Sequence, residues 1–103
     1  MSNTQDEPKT TQLMNNELLE IRLEEFRGLI SLHVGLMKWS PQLFKGYKLI
    51  LEDIKEIVKG MGYKRIDNIL PKNDPKTIKL NQMFGFTHSY DLGEDYGVYV
   101  LWL

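Results

Sequence analysis

The sequence predicts one domain of the α/β (α+β) class, a mixed β-sheet with two main helices packed on it, in the order β-β-α-β-α-β-β. Three observations predict it. "LLEIRLEE" (18–25) alternates apolar and polar residues, as a half-buried strand does. "YKLILEDIKEIVKGMGY" places Ile50, Ile54, Ile57, Val58 and Met61 at helical spacing, with Lys55, Glu56 and Lys59 between them. The chain closes on "YGVYVLWL", an aromatic and strongly β-prone run. Strands that pair as hairpins and also alternate with helices give a mixed sheet.

Each element follows in order. Residues 1–16 are rich in Asn, Thr, Gln and charge, and read as a flexible polar tail ahead of a single domain over 17–103. Leu19, Ile21 and Leu23 form one face of the first strand; Glu20, Arg22 and Glu24 form the other. "FRGLISLHVGLM" (26–37) supplies a second strand, with a hairpin turn near Phe26–Gly28. "KWSPQLFKGYK" (38–48) contains Ser-Pro and Gly46 and reads as a loop. The long helix follows and stops at Gly60 and Gly62. "KRIDNILP" (64–71) is a short strand. Asp74 then suits an N-cap, Pro75 the first helical position, and Gly85 the C′ site of a second helix. Two further strands, turning at "LGED", finish the chain.

Composition narrows the function classes. The chain has 103 residues, 13 basic against 14 acidic, and a net charge of -1. That balance gives no general drive toward nucleic acid or an anionic membrane. Without cysteine there is no disulfide, thiolate metal site or cysteine nucleophile. No apolar run reaches the roughly 18–20 residues that span a bilayer. The polar N-terminus has no apolar signal core, so a cytoplasmic location is the expectation.

Two segments carry a resemblance to a known family. "DPKTIKLNQMFGF" looks like the helix motif that ends in Gly-Phe in the GCN5-related N-acetyltransferase (GNAT) family. "LFKGYK" looks like that family's acetyl-CoA pyrophosphate loop, placed between a strand and a helix. Taken with the element order, residues 18–103 resemble the C-terminal two-thirds of the GNAT fold. The layout is most similar to short GNAT-like proteins encoded by bacteriophages, which would place the chain in a host cytoplasm or a virion. A full domain of the family begins with a strand and two helices that build much of the acceptor pocket; here a polar tail stands in their place. The resemblance therefore implies either a partner completing the site, through self-association or another protein, or no small acceptor at all.

The resemblance implies acetyl-CoA as cofactor and assigns residues to it. Lys45, Gly46, Tyr47 and Lys48 correspond to the pyrophosphate loop, where backbone N–H groups and lysine charge would meet phosphate. Solvated lysines on an ordinary connection are the alternative. Leu36, Met37 and Lys38, with Trp39, correspond to the splayed fourth strand of the family, whose backbone pairs with the pantetheine arm. Asn73 and Asp74 correspond to the Asn that helps hold the cofactor. The chain departs from the pattern at three points. Leu43 replaces a Gln or Arg, Lys48 a small residue, and Asn81 the tyrosine that protonates the departing thiolate. Amide nitrogen cannot act as that acid. Tyr47, Tyr63, Tyr90 and Tyr96 are candidates with no position assigned.

An amine acceptor also needs a base with a pKa near neutrality. His33, on the second strand, is the candidate general base; a packed or surface strand histidine is the alternative. Glu20, Glu24 and Glu25 could reach the acceptor side or simply be solvated. The aromatic run "YGVYVLWL" is either a self-association surface or a strand buried in its own sheet. Two functions stand: a reduced N-acetyltransferase, or a non-catalytic GNAT-fold protein with a structural or host-protein-binding role.

Overall fold

The computed structural model describes residues 7–36 and 40–103. Six strands and two helices follow in the order β1 (Lys9–Asn15), β2 (Leu19–Phe26), β3 (Leu29–Leu36), α1 (Pro41–Gly60), β4 (Arg65–Pro71), α2 (Pro75–Met83), β5 (Thr87–Leu92) and β6 (Tyr96–Trp102). They make two antiparallel three-stranded sheets, β1-β2-β3 and β4-β6-β5. The class is α+β, as the hydrophobic patterning predicts, but the strands form two antiparallel sheets in place of the one mixed sheet expected, because no backbone ladder joins β3 to β4.

β2 and β3 form the expected hairpin, pairing Leu19 with Leu36 through to Phe26 with Leu29. The turn is made by Arg27 and Gly28, both at positive φ (51° and 79°). Leu19, Ile21 and Leu23 of β2 and Ile30 and Leu32 of β3 point to one face and are buried. Ile66, Leu70, Tyr99 and Leu101 continue that face across β4 and β6. Tyr47, Leu51, Ile54 and Val58 of α1 cover it, at the i, i+4, i+7, i+11 spacing of one helical stripe. Phe84, at the end of α2, stacks on Phe44 and meets Tyr47 edge-on, with ring centroids 5.1 Å and 4.2 Å apart. Both helices thus lie on the same side of the sheets.

Two segments differ from the sequence expectation. Lys9–Asn15, inside the expected tail of residues 1–16, is a strand that pairs with β2 from Lys9–Glu25 to Asn15–Glu20. Its polar residues are those of an edge strand. A register shift between Gln12 and Met14 turns the neighbouring Leu13 and Met14 both toward the core. The domain therefore extends beyond 17–103.

The second correction concerns residues 38–48. Ser40 is the N-cap of α1, its hydroxyl accepting from the Leu43 N–H at 3.0 Å, and Pro41 opens the helix. Ser-Pro here starts a helix rather than breaking the chain, because proline's missing N–H costs nothing in the first turn. "LFKGYK" is therefore helix and not a loop. α2 begins as expected: Asp74 accepts from the N–H and hydroxyl of Thr77 at 3.2 Å and 2.7 Å. Gly85 follows it at φ 99°.

Candidate functional site

The two sheets meet where β3 runs beside β4, and there they splay. Side chains make the connection in place of a regular ladder. The Ser31 hydroxyl donates to the Asp67 carbonyl at 2.6 Å. One residue on, the Leu32 N–H donates to Asn68 Oδ1 at 2.9 Å, and Asn68 Nδ2 donates to the Leu32 carbonyl at 3.1 Å. Pairing of 31 with 67 and 32 with 68 has the strands running in the same direction. The Asn68 amide thus does for Leu32 what a neighbouring strand's backbone would do.

Asn68 is held in turn by α2. Its Nδ2 also donates to Asn81 Oδ1 at 2.8 Å, and Asn81 Nδ2 donates to the Thr77 carbonyl at 2.8 Å. Asn68 is 5% exposed and lies between Ile66 and Leu70 on the apolar face. A buried amide there is tolerated because the network satisfies it.

Beyond this bridge the strands part around a cleft of about 300 Å³. Glu20, Arg22, His33 and Gly35 line it from the helix-free side; Tyr47, Leu80, Asn81 and Phe84 line it from the helix side. The cleft therefore reaches between the strands toward both faces of the sheet. Strand geometry alternates the direction of backbone groups. The N–H and C=O of Val34 and Leu36 point the same way as those of Leu32, toward β4. At Val34 no side chain like Asn68 answers them among the described residues.

Two side chains in the lining have unspent hydrogen-bonding capacity. His33 Nε2 is buried without a hydrogen-bond partner among the described residues, although the side chain as a whole is 42% exposed. Its nearest carboxylate, Glu24 Oε1, is 4.0 Å away, too far for a hydrogen bond. Burial, followed by the Arg22 charge, lowers the His33 pKa from 6.5, and Glu24 partly opposes them. The imidazole is accordingly neutral at pH 7, with a free lone pair on one nitrogen. Tyr47 is the second. Its ring is buried, and its hydroxyl makes no hydrogen bond to any described residue. Burial raises its pKa, so it stays protonated.

The residues picked out from sequence separate on the structure. His33 and Tyr47 meet in the cleft lining. Lys45, Gly46 and Lys48 lie within α1, where a Cβ on Gly46 would meet nothing within 4 Å, so no close backbone approach requires that glycine. The Lys48 ammonium sits 5.0 Å from the Phe44 ring centroid. Leu36 ends β3, while Met37, Lys38 and Trp39 fall outside the described residues. Asp74 caps α2, and the exposed Asn73 turns before it, away from the cleft lining. Glu25 accepts from the Tyr63 hydroxyl at 2.7 Å. Asn68 is the residue that sequence reasoning missed. Its signal is a polar side chain at an apolar-parity position of "RIDNILP".

No protein-family model and no curated protein matches the chain. Among solved structures it is similar to a crystallised domain from Methanocaldococcus jannaschii DSM 2661. The TM-score is 0.53 and the identity 16%, with 82% of this chain and 66% of that one covered. That likeness is one of fold alone, and this chain spans just under two thirds of that domain's length. Among the described residues no helix is long and apolar enough to cross a membrane, and no three His, Asp or Glu side chains gather to hold a metal ion.

Proposed function

We propose that this chain is a GNAT-like, acetyl-CoA-dependent N-acetyltransferase of reduced size. The observation that carries the reading is the backbone edge of β3 left open at Val34 beside a cleft that reaches both faces of the sheet. In the GNAT family the fourth strand splays to receive the pantetheine arm. With β1 taken as the counterpart of the family's second strand, β3 is the counterpart of that fourth strand. The open N–H and C=O of Val34 suit the amides of such an arm. The N-terminus of α1, a few residues beyond β3, offers the positive end of a helix dipole to phosphate. That places anion binding at Ser40–Leu43 rather than at Lys45–Lys48.

Bound acetyl-CoA would supply an activated acyl group. The chain's own residues then divide the proton work. The neutral, part-exposed His33 imidazole on the helix-free side takes a proton from the acceptor amine. Tyr47 on the helix side holds a proton on its hydroxyl and donates it to the leaving sulfur. It stands in for the family's tyrosine, because both ends of the Asn81 amide are committed to Asn68 and Thr77. Phe84, Leu80 and Leu32 give that side of the cleft its apolar lining.

Calorimetric titration with acetyl-CoA tests the reading, and no binding at millimolar cofactor removes it. If it binds, Tyr47→Phe and His33→Ala lower turnover on a panel of amine acceptors while affinity is retained. Tyr47→Phe also leaves folding stability within about 0.5 kcal/mol of wild type, since its hydroxyl makes no hydrogen bond to any described residue. The commitment of Asn81 favours a second reading, a non-catalytic GNAT-fold binding protein. Binding without turnover on any amine, unchanged by either substitution, selects it.

A further inference from the structure

The sheet has a second face that neither helix covers. On β4, β5 and β6 the residues Ile69, Tyr90, Leu92, Tyr96, Val98, Val100 and Trp102 share the side opposite the core, as the pairing of Ile69 and Tyr90 with Val98 fixes. Val98 and Val100 are buried there, yet they stand apart from the main core. Around them Trp102 is 64% exposed, Ile69 53% and Tyr90 51%, with Leu92 and Tyr96 close behind. A contiguous apolar patch of this kind marks an interaction surface.

The charges flanking the patch are polarised along the strands. One end carries Lys64 and Arg65. The Arg65 guanidinium lies over the Trp102 ring, 5.4 Å from its centroid, and its Nε bonds Asp67 at 3.1 Å. The other end is the β5–β6 turn with Glu94 and Asp95. Lys72 and Asp91 pair with each other there at 3.2 Å, which leaves Glu94 and Asp95 without an ion pair among the described residues.

We propose that this face packs against the same face of a second copy of the chain, with the strands of the two copies antiparallel. A two-fold axis between the sheets makes the contact isologous. Ile69, Tyr90 and Trp102 of one copy then meet the apolar centre of the other. With Arg65 neutralised by Asp67, the Lys64 end of each copy lies over the Glu94–Asp95 end of its mate, so the attraction is counted twice. Parallel stacking would oppose like charges. Three short strands present a small area, so the dimer is weak and exchanging rather than obligate. The pairing does not depend on coenzyme binding.

Sedimentation velocity on the full chain, from micromolar to about millimolar concentration, tests it. A concentration-dependent dimer is expected, loosened by salt. Ile69→Lys raises its dissociation constant about tenfold or more while leaving the circular dichroism spectrum unchanged, and Tyr90→Lys repeats the test on the edge strand. Lys64→Glu and Glu94→Lys each weaken the dimer several-fold, and combining them restores it. A chain that stays monomeric throughout overturns the proposal. So does a dimer indifferent to both lysine substitutions, and a double charge swap that fails to recover refutes the antiparallel arrangement.

Discussion

Replacing Asn68 by alanine probes the junction between the sheets directly. The amide makes three hydrogen bonds, two to the Leu32 backbone and one to Asn81. Each contributes about 0.5–1.5 kcal/mol net, and a buried backbone group left unpaired costs about 1–3 kcal/mol. Truncation to alanine opens the space the amide filled onto the adjoining cleft, so water can replace part of what Leu32 loses and the second cost falls at the low end. The expected loss is therefore about 3 kcal/mol. For a domain of this size that lowers Tm by about 12–24 °C. Urea unfolding of Asn68→Ala beside Asn81→Ala measures it, because Asn81→Ala leaves the Leu32–Asn68 pair intact and loses about 1–2 kcal/mol. If Asn68→Ala costs under about 1 kcal/mol, or no more than Asn81→Ala, then the side chain is not acting as a strand surrogate.

Further outcomes follow from other elements. Ser40→Ala removes the α1 cap and costs about 1 kcal/mol by chemical unfolding; no change would mean that another group caps Leu43. Gly85→Ala places a Cβ 3.2 Å from Leu101 Cδ1 at φ 99°, and is expected to destabilise by about 1–2 kcal/mol in the same assay. A neutral result would show that the chain after α2 relaxes. The His33 pKa is depressed on folding, so the unfolded chain binds the extra proton as pH falls through 6.5, and stability declines below that point. Urea unfolding across that range should show the slope in wild type and lose it in His33→Gln. The slope is shallow because the ring is half-exposed, and identical profiles would refute the assignment.

Hydrophobic period made β2, β3, α1, β4 and β6 legible, because each buries one regular face. β1 was hidden because an edge strand with a register shift has no clean period: "KTTQLMN" alternates badly where Leu13 and Met14 both turn inward. The start of α1 was hidden by an ambiguity in Ser-Pro, which breaks a chain in a loop and opens a helix when serine can cap it. Gly46 reinforced the loop reading although nothing crowds it. Of the cleft, His33 and Tyr47 were visible as residue types. Asn68 could not be placed, since its role depends on strands 36 residues apart being neighbours.

The splay between β3 and β4 also bears on solubility. An open strand edge ordinarily recruits foreign strands, and proteins blunt such edges with charge, proline or bulges. The edge at Val34 has another defence, which is its location in the interior of the sheet. An invading strand would carry side chains on both of its faces and would collide with Tyr47 and Phe84 on one side and with β2's Glu20 and Arg22 on the other. A thin extended molecule without such branches could enter. Width alone thus sorts what may pair with this backbone, so the chain can keep hydrogen-bonding groups unspent without inviting its neighbours to aggregate on them.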